Sequence, residues 1–338
     1  MPSPRSLIQL VRRRLKNSAA LPGPRSPRLQ DMAIEDLLDA FTDLKQLRRT
    51  NPDQVLLKLG AFGAEALAIL AHKTSSHRIA WEGAGQKDYK VFSDVGDHAS
   101  WSRAVNTSLF IEDVATFGTI FQQFATRVID DRGKLRVEGL TADQIDMSVY
   151  TTVMSFAVLV DIYQPSRGLG GTFFEMIVGP LISLLTGRIE TGDVVLPVPG
   201  REETETVKVD LTFHDPQGGV SLAVPTKIST RERISQAFVH VRILETARPG
   251  SYRNILCVVN ENNAFTYKGR SRGTPSNVYL RDTLVPGTIA LYQRYVASLD
   301  GFYYLDPPEQ YLAGQRAGLP PVKRFSSLLL GDLEKLLA

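Results

Sequence analysis

The chain has 338 residues, of which 43% are hydrophobic and 22% charged. These proportions suit one large domain or two modest ones and exclude wholesale disorder and fibrous architectures. A single cysteine, Cys257, excludes an internal disulfide framework and any multi-thiolate zinc or iron–sulfur site, and a reducing, cytoplasmic setting fits best. No uncharged apolar run approaches the roughly 18 residues that a spanning helix needs, so a soluble protein is expected. The longest such runs, around Ser155–Val160 and Met176–Leu185, are short and interrupted.

The net charge of +3 is unevenly spread. Residues 1–30 hold seven Lys/Arg and no acid, and residues 227–272 hold nine Lys/Arg against three Glu, on an otherwise acidic body. Two basic islands point to local contact with a polyanion. Clustering on solvated faces is the plainer alternative, and charge does not name the partner.

In chain order, residues 1–30 read as a basic flexible arm rich in Pro, Ser and Arg, with one short amphipathic helix at Leu7–Leu15. An organellar transit peptide is the weaker reading of the same makeup. Residues 31–164 read as a helical region of unknown role. Ile34, Leu37, Leu38, Phe41 and Leu44 recur at helical spacing, and Asn51-Pro52 starts a second helix toward Ala71. The wetter stretch Lys73–Trp101, with Gly83 and Gly85, predicts a short hairpin. Two further helices are expected over Ile111–Ile129 and Ala142–Tyr163, the latter opened by Thr141 as cap and Asp143 at the positive helix end.

After Pro165 the period changes. A turn at Gly168–Thr172 leads into an apolar helix from Phe173 to Leu185 that stops at Thr186-Gly187. Val207 to Phe213 alternates as a half-buried strand does. Asp215-Pro216-Gln217-Gly218-Gly219 is a turn, and Val220 to Val224 alternates again, so the pair predicts a β-hairpin. Ser229 or Thr230 can cap a helix through Ile234, Ala237, Phe238, Val241 and Leu244 that Pro249-Gly250 ends. Ile255–Val259 reads as a buried strand, Thr288–Leu299 as a helix and Gly301–Leu305 as a last strand. This order is that of an α/β sandwich.

The hairpin carries the chemistry. If Val207, Val209, Leu211 and Phe213 share the core face with Val220, Leu222 and Val224, then Asp210 and Lys227 emerge together on the opposite side. A carboxylate beside an ammonium at a sheet rim suits a metal-and-phosphate site. An ordinary cross-strand ion pair explains the same two residues.

The surrounding sequence resembles the nuclease core of type II restriction endonucleases with the PD-(D/E)xK fold. Gly170-Gly171-Thr172-Phe173-Phe174-Glu175 opens a helix, Asp210 follows on the first hairpin strand, and Lys227 ends the second. The resemblance gives Glu175 the place of the helical acid, Asp210 that of the metal ligand and Lys227 that of the catalytic lysine. Lys227-Ile228-Ser229-Thr230-Arg231-Glu232-Arg233 further resembles the lysine-plus-recognition-helix signature of the branch that cuts CCGG- and CCNGG-type sites. There the Arg-acid-Arg element reads C·G pairs, and the physics agrees. Arginine donates twice to guanine O6 and N7, and a carboxylate accepts from cytosine N4. A charged, solvated first turn is the structural alternative.

The resemblance implies a mixed β-sheet flanked by helices, with residues 165–338 as nuclease domain. It also implies Mg²⁺ as cofactor, held by Asp210 and Glu175, and double-stranded DNA as substrate. A homodimer or higher oligomer and a cognate DNA methyltransferase as genetic partner follow in the same way. A catalytically inactive DNA-binding protein or a repair nuclease on this fold is the rival reading.

The match covers roughly residues 168–262, thins out to about 310, and departs from the pattern in one respect. Pro225 stands two residues before Lys227, where the family has an acid. The positions on the following helix to which that acid migrates in this branch are His240 and Val241. His240 or Gln236 taking that role, Glu175 supplying the second carboxylate, and loss of activity are the open outcomes. Lys268, Arg270 and Arg272, on a Gly/Ser-rich loop, are candidate phosphate contacts, and Glu261-Asn262-Asn263 could add polar contacts to bases. No phosphate-binding loop, dinucleotide fingerprint, nucleophile elbow or zinc spacing is present. Trp81 and Trp101 read as packing residues.

Overall fold

A computed structural model describes residues 34–81, 87–95, 101–164, 169–230, 234–266, 278–282, 285–312, 319 and 321–338. The basic arm with its expected helix at Leu7–Leu15, the Arg231-Glu232-Arg233 element and the Lys268, Arg270 and Arg272 loop lie outside these residues.

The expected helices of the first half are α1 (Ile34–Leu47), α2 (Pro52–Lys73), α3 (Val114–Asp130) and α4 (Ala142–Tyr163). Their starts are set by capping. Asn51 accepts from the amide of Gln54, Asp113 from that of Thr116, and Thr141 forms a reciprocal capping box with Gln144, each satisfying amides that have no partner within the helix. Capped by Asp113, α3 starts at Val114, three residues after the expected Ile111.

The predicted hairpin is present as β1 (Thr74–Trp81) and β2 (Tyr89–Asp94), antiparallel. It belongs to a five-stranded sheet that sequence reading did not anticipate, in which β3 (Val105–Asn106) and this hairpin join β9 (Asn262–Thr266) and β10 (Val278–Asp282) through a parallel β1–β10 pairing. The strand order is β3-β2-β1-β10-β9. Trp81 packs on Tyr89 and Trp101 on His77, the packing use expected of both.

The second half follows as α5 (Leu169–Thr186), β4 (Ile189–Pro197), β5 (Thr204–His214), β6 (Ser221–Ala223), β7 (Thr226–Lys227), α6 (Ile234–Ala247), β8 (Tyr252–Val258), α7 (Pro286–Tyr295), β11 (Gly301–Tyr304) and β12 (Val322–Arg324). They build a mixed sheet in the order β12-β11-β8-β6-β5-β4, with β7 also on β8. Helices cover both faces. Along β8, Ile255 and Cys257 join one hydrophobic cluster with α1 to α5, while Leu256 and Val258 join another with α6 and α7. β11 alternates in the same way, with Tyr303 in the first cluster and Phe302 and Tyr304 in the second.

The first cluster runs from Leu37 to Leu333 and contains residues from both sides of position 165. Its centre is a set of four phenylalanines, Phe41, Phe62, Phe156 and Phe173, whose centroids lie 4.6–5.8 Å apart. These rings seat α1, α2 and α4 against α5, two residues before Glu175.

Three helices among the described residues, α2, α4 and α5, reach the length and apolarity of a membrane span, which the search for uncharged runs did not reveal. Charged residues spaced along them divide the runs, yet their average hydropathy stays high. Half or more of each apolar window is buried inside the protein.

One buried acid gives the fold a pH signature. Asp146 on α4 accepts hydrogen bonds of 2.8 Å from both the amide and the hydroxyl of Ser326. Burial pushes its carboxyl up to about 6 against the partial relief of those bonds. The folded value lies above the unfolded one, so this group's contribution to stability is fully present below about pH 4 and is lost as pH rises toward 6. Urea unfolding from pH 4 to 7 should show the wild type losing about 2–3 kcal/mol relative to Asp146→Asn. Parallel pH curves for the two proteins would rule this out.

Candidate functional site

The site forms where β5 departs from regular pairing. Thr212 opposes Thr191 and Lys208 opposes Asp193, so Val209, Asp210 and Leu211 face Gly192 alone. This bulge corrects the expected single apolar face of β5. Val207 and Val209 pack with Val194, Leu196 and Tyr252, whereas Leu211 and Phe213 enter the large core on the other side. Extra residues in one strand re-aim the side chains beyond them, and Asp210 sits at the middle of the change.

The partner strand is also interrupted. Lys227 was expected to end the hairpin strand, but Val224-Pro225 separates β6 from β7, and Lys227 pairs in parallel with Val258 of β8. Proline has no amide to continue the ladder. Val224 still donates to the carbonyl of Leu211, at 2.8 Å. At the next free amide the acceptor is a side chain, with Thr226 donating to Asp210 Oδ2 at 2.9 Å. The Lys227 ammonium reaches the same oxygen at 2.5 Å. The pair is partly open to solvent, with side chains 27% (Asp210) and 12% (Lys227) exposed.

Glu175 arrives from α5 and His240 from α6. Burial raises the Glu175 carboxyl above the usual range, and the negative charge of Asp210 adds to this, while Arg48 and Lys227 oppose it. Burial lowers the His240 imidazole, with Asp210 pulling it up and Lys227 pushing it down. Both residues therefore feel the Asp210–Lys227 pair. His240 is held toward its neutral form, which can accept a hydrogen bond or a cation. Of the four residues expected to carry catalysis, Asp210 and Lys227 are in direct contact, while Glu175 and His240 each sense the charges of that pair. Gln236 lies exposed one turn earlier on α6.

Glu261 has a different use from the base contacts considered for it. It is buried, accepts from the amide of Thr230 at 3.1 Å and its hydroxyl at 2.6 Å, and accepts from Tyr304 at 3.0 Å. The Thr230 carbonyl in turn accepts from the amide of Ile234. Glu261 therefore fixes the segment between Lys227 and the Arg231–Arg233 element.

Sequence reading missed Arg48, just past the end of α1. Its guanidinium lies 3.6 Å from Glu175 and 2.9 Å from Glu190 of β4, whose side chain is only 1% exposed. Burial raises the Glu190 carboxyl, and Arg48 and Arg49 pull it back. Gly179, one turn after Glu175 on α5, leaves the room this needs, since a Cβ there would stand 2.4 Å from Glu190 Oε2 and 3.3 Å from the Arg48 side chain. Gly179→Ala is accordingly expected to lower stability by about 1–3 kcal/mol, as overpacking does. Thermal unfolding equal to wild type would contradict this account of the contact.

The donor set can be judged by its chemistry. Among the described residues no group of three or more His, Cys, Asp and Glu converges on one point. Two carboxylates in this charge network, Asp210 and Glu175, are each partly open to solvent, with side chains 27% and 22% exposed. Such hard oxygen donors suit a divalent cation that keeps most of its waters, as Mg²⁺ does, and do not suit a closed zinc site.

The sequence matches no protein-family model and no curated protein. Among solved structures, the crystal structure of the type IIP restriction endonuclease Kpn2I superposes with a TM-score of 0.70 at 24% identity, covering 89% of this chain and 97% of that one. The restriction endonuclease PspGI in complex with substrate DNA aligns at a TM-score of 0.37 and 14% identity, over 66% of this chain and 92% of that one. A mixed sheet flanked by helices, nearly coextensive with Kpn2I, gives this chain the fold of a type II restriction endonuclease.

Proposed function

We propose that this protein is a site-specific, Mg²⁺-dependent endonuclease of double-stranded DNA, acting in the cytoplasm as a restriction enzyme beside a cognate methyltransferase. The observation that carries the reading is the Asp210–Lys227 pair at the β5 bulge, whose charges Glu175 senses, on a fold shared with Kpn2I. Cutting both strands of a two-fold symmetric site further suggests a homodimer or larger assembly.

In this reading Asp210 and Glu175 would hold Mg²⁺, which when bound would offset phosphate charge and make a nearby water more acidic. Lys227 orients the attacking water and offsets charge building on the phosphate. The water oxygen forms a bond to phosphorus as the bond to the 3′ oxygen breaks, leaving a 5′-phosphate and a 3′-hydroxyl. Neutral His240 stands where the missing acid of the CCGG/CCNGG branch would be and supports the water network. Arg231, Glu232 and Arg233 read base edges, Gln236 extends that contact, and Lys268, Arg270 and Arg272 clamp backbone phosphates.

The test is to incubate the purified protein with phage DNA in Mg²⁺ or EDTA, beside Lys227→Ala, and to sequence the ends. Discrete fragments that require Mg²⁺ and Lys227 support the reading and give the site. Binding without cutting, unchanged in the variant, moves the assignment to a DNA-binding protein, for which Pro225 already argues.

A further inference from the structure

Resting on that reading, we propose that Arg48 is a positioning residue for Glu175, so that the helical region before residue 165 supplies a working part of the nuclease site. The geometry is asymmetric. Arg48 is 2.9 Å from Glu190 but 3.6 Å from Glu175. Glu190 is almost wholly buried, and a buried carboxylate holds its cation firmly because separation would leave an uncompensated charge. Arg49 reaches the same Glu190 oxygen at 3.5 Å from the half-exposed side. Glu190 thus clamps the guanidinium from behind, and the remaining fork faces Glu175 without fully engaging it.

That arrangement restrains Glu175 and leaves its oxygens free to turn toward a cation shared with Asp210. It also explains the chemistry of the neighbours. Lys227 is committed to Asp210 at 2.5 Å, so Glu175 takes its close cation from elsewhere in the chain. The Phe41–Phe173 contact holds α1 against α5, and Phe41–Phe156 holds it against α4, which together fix where Arg48 enters. Groups around a metal ligand of this kind change metal affinity or activity by about 10- to 100-fold when removed.

The test uses the full chain with Arg48→Met, Arg48→Lys, Glu190→Gln and the double variant Arg48→Met/Glu190→Gln. Readouts are single-turnover cleavage in Mg²⁺, Mn²⁺ affinity by electron paramagnetic resonance, DNA affinity in Ca²⁺ and thermal unfolding. Arg48→Met should cut about thirtyfold more slowly and bind Mn²⁺ about tenfold more weakly, with DNA affinity within about threefold of wild type. Arg48→Lys should recover part of the Mn²⁺ affinity, since it restores the charge without the fork. The double variant separates position from stability. Removing both buried charges should restore thermal stability toward wild type while cleavage and Mn²⁺ affinity stay low.

If the double variant regains both, Arg48 is a folding element only and the inference falls. It falls equally if Arg48→Met cuts and binds Mn²⁺ like wild type. A wild type that neither binds Mn²⁺ nor cuts DNA would overturn the nuclease reading, and this inference with it.

Discussion

Asp210→Asn and Lys227→Ala should each lower the single-turnover cleavage rate by about a thousandfold or more while leaving the fold in place. Asp210 accepts from the Thr226 amide and from Lys227 through one oxygen, and Asn keeps a carbonyl oxygen for the amide. The pair is mostly buried, at 27% and 12% exposed, so losing one partner should cost about 1–3 kcal/mol of stability. Two residues acting on one transition state are not additive, so the double variant should cut about as slowly as either single one. DNA affinity measured in Ca²⁺ should persist in Lys227→Ala, which removes no metal-binding oxygen. Cleavage within tenfold of wild type in either variant would remove these residues from the chemistry.

The second large effect is structural. Glu261→Ala removes the acceptor for the Thr230 amide, the Thr230 hydroxyl and the Tyr304 hydroxyl in a fully buried place. Burial, reinforced by the nearby negative charge of Glu261, keeps the Tyr304 hydroxyl protonated and donating. Unsatisfied buried donors cost about 1–3 kcal/mol each, so a loss of about 3–5 kcal/mol is expected, with a fall in melting temperature of about 10 °C. Glu261→Gln keeps a carbonyl acceptor and should lose less than half as much. Because Thr230 directly precedes Arg231, the Ala variant should also relax sequence selectivity, read by sequencing the cut ends. Calorimetry showing Ala within 1 kcal/mol of wild type would mean that water takes over the role of the carboxylate.

Leu211, Phe213, Leu222 and Val224 do share a core as their alternation indicates, and Asp210 does lie beside Lys227. The equally clean alternation of Val207 to Phe213 gave no sign of the bulge that turns Val207 and Val209 to the other side. Strand β4 was not legible because its buried positions are Glu190, Gly192, Val194 and Leu196, and two of the four carry no apolar side chain to mark the period. The break before Lys227 was signalled by Pro225, but where the strand resumed depended on β8, which pairs with it in parallel from thirty residues onward. Arg48 gave no local sign at all. Its meaning comes from Glu175 and Glu190, far along the chain, and a buried cation is recognisable only once its acids are in view.

The parallel pairing of β1 with β10 ties residues 74–81 to residues 278–282. A ribosome making this chain completes the whole helical half, and β4 to β8 after it, before the partner of β1 exists. Lys87 likewise waits for Asp306, its buried counter-ion. Contacts between such distant segments slow folding, because a long loop must close before they reward it. The early helices, with their large apolar faces, therefore spend the interval of synthesis without their final cover, which makes chaperone attendance and growth temperature decisive for the yield of active protein.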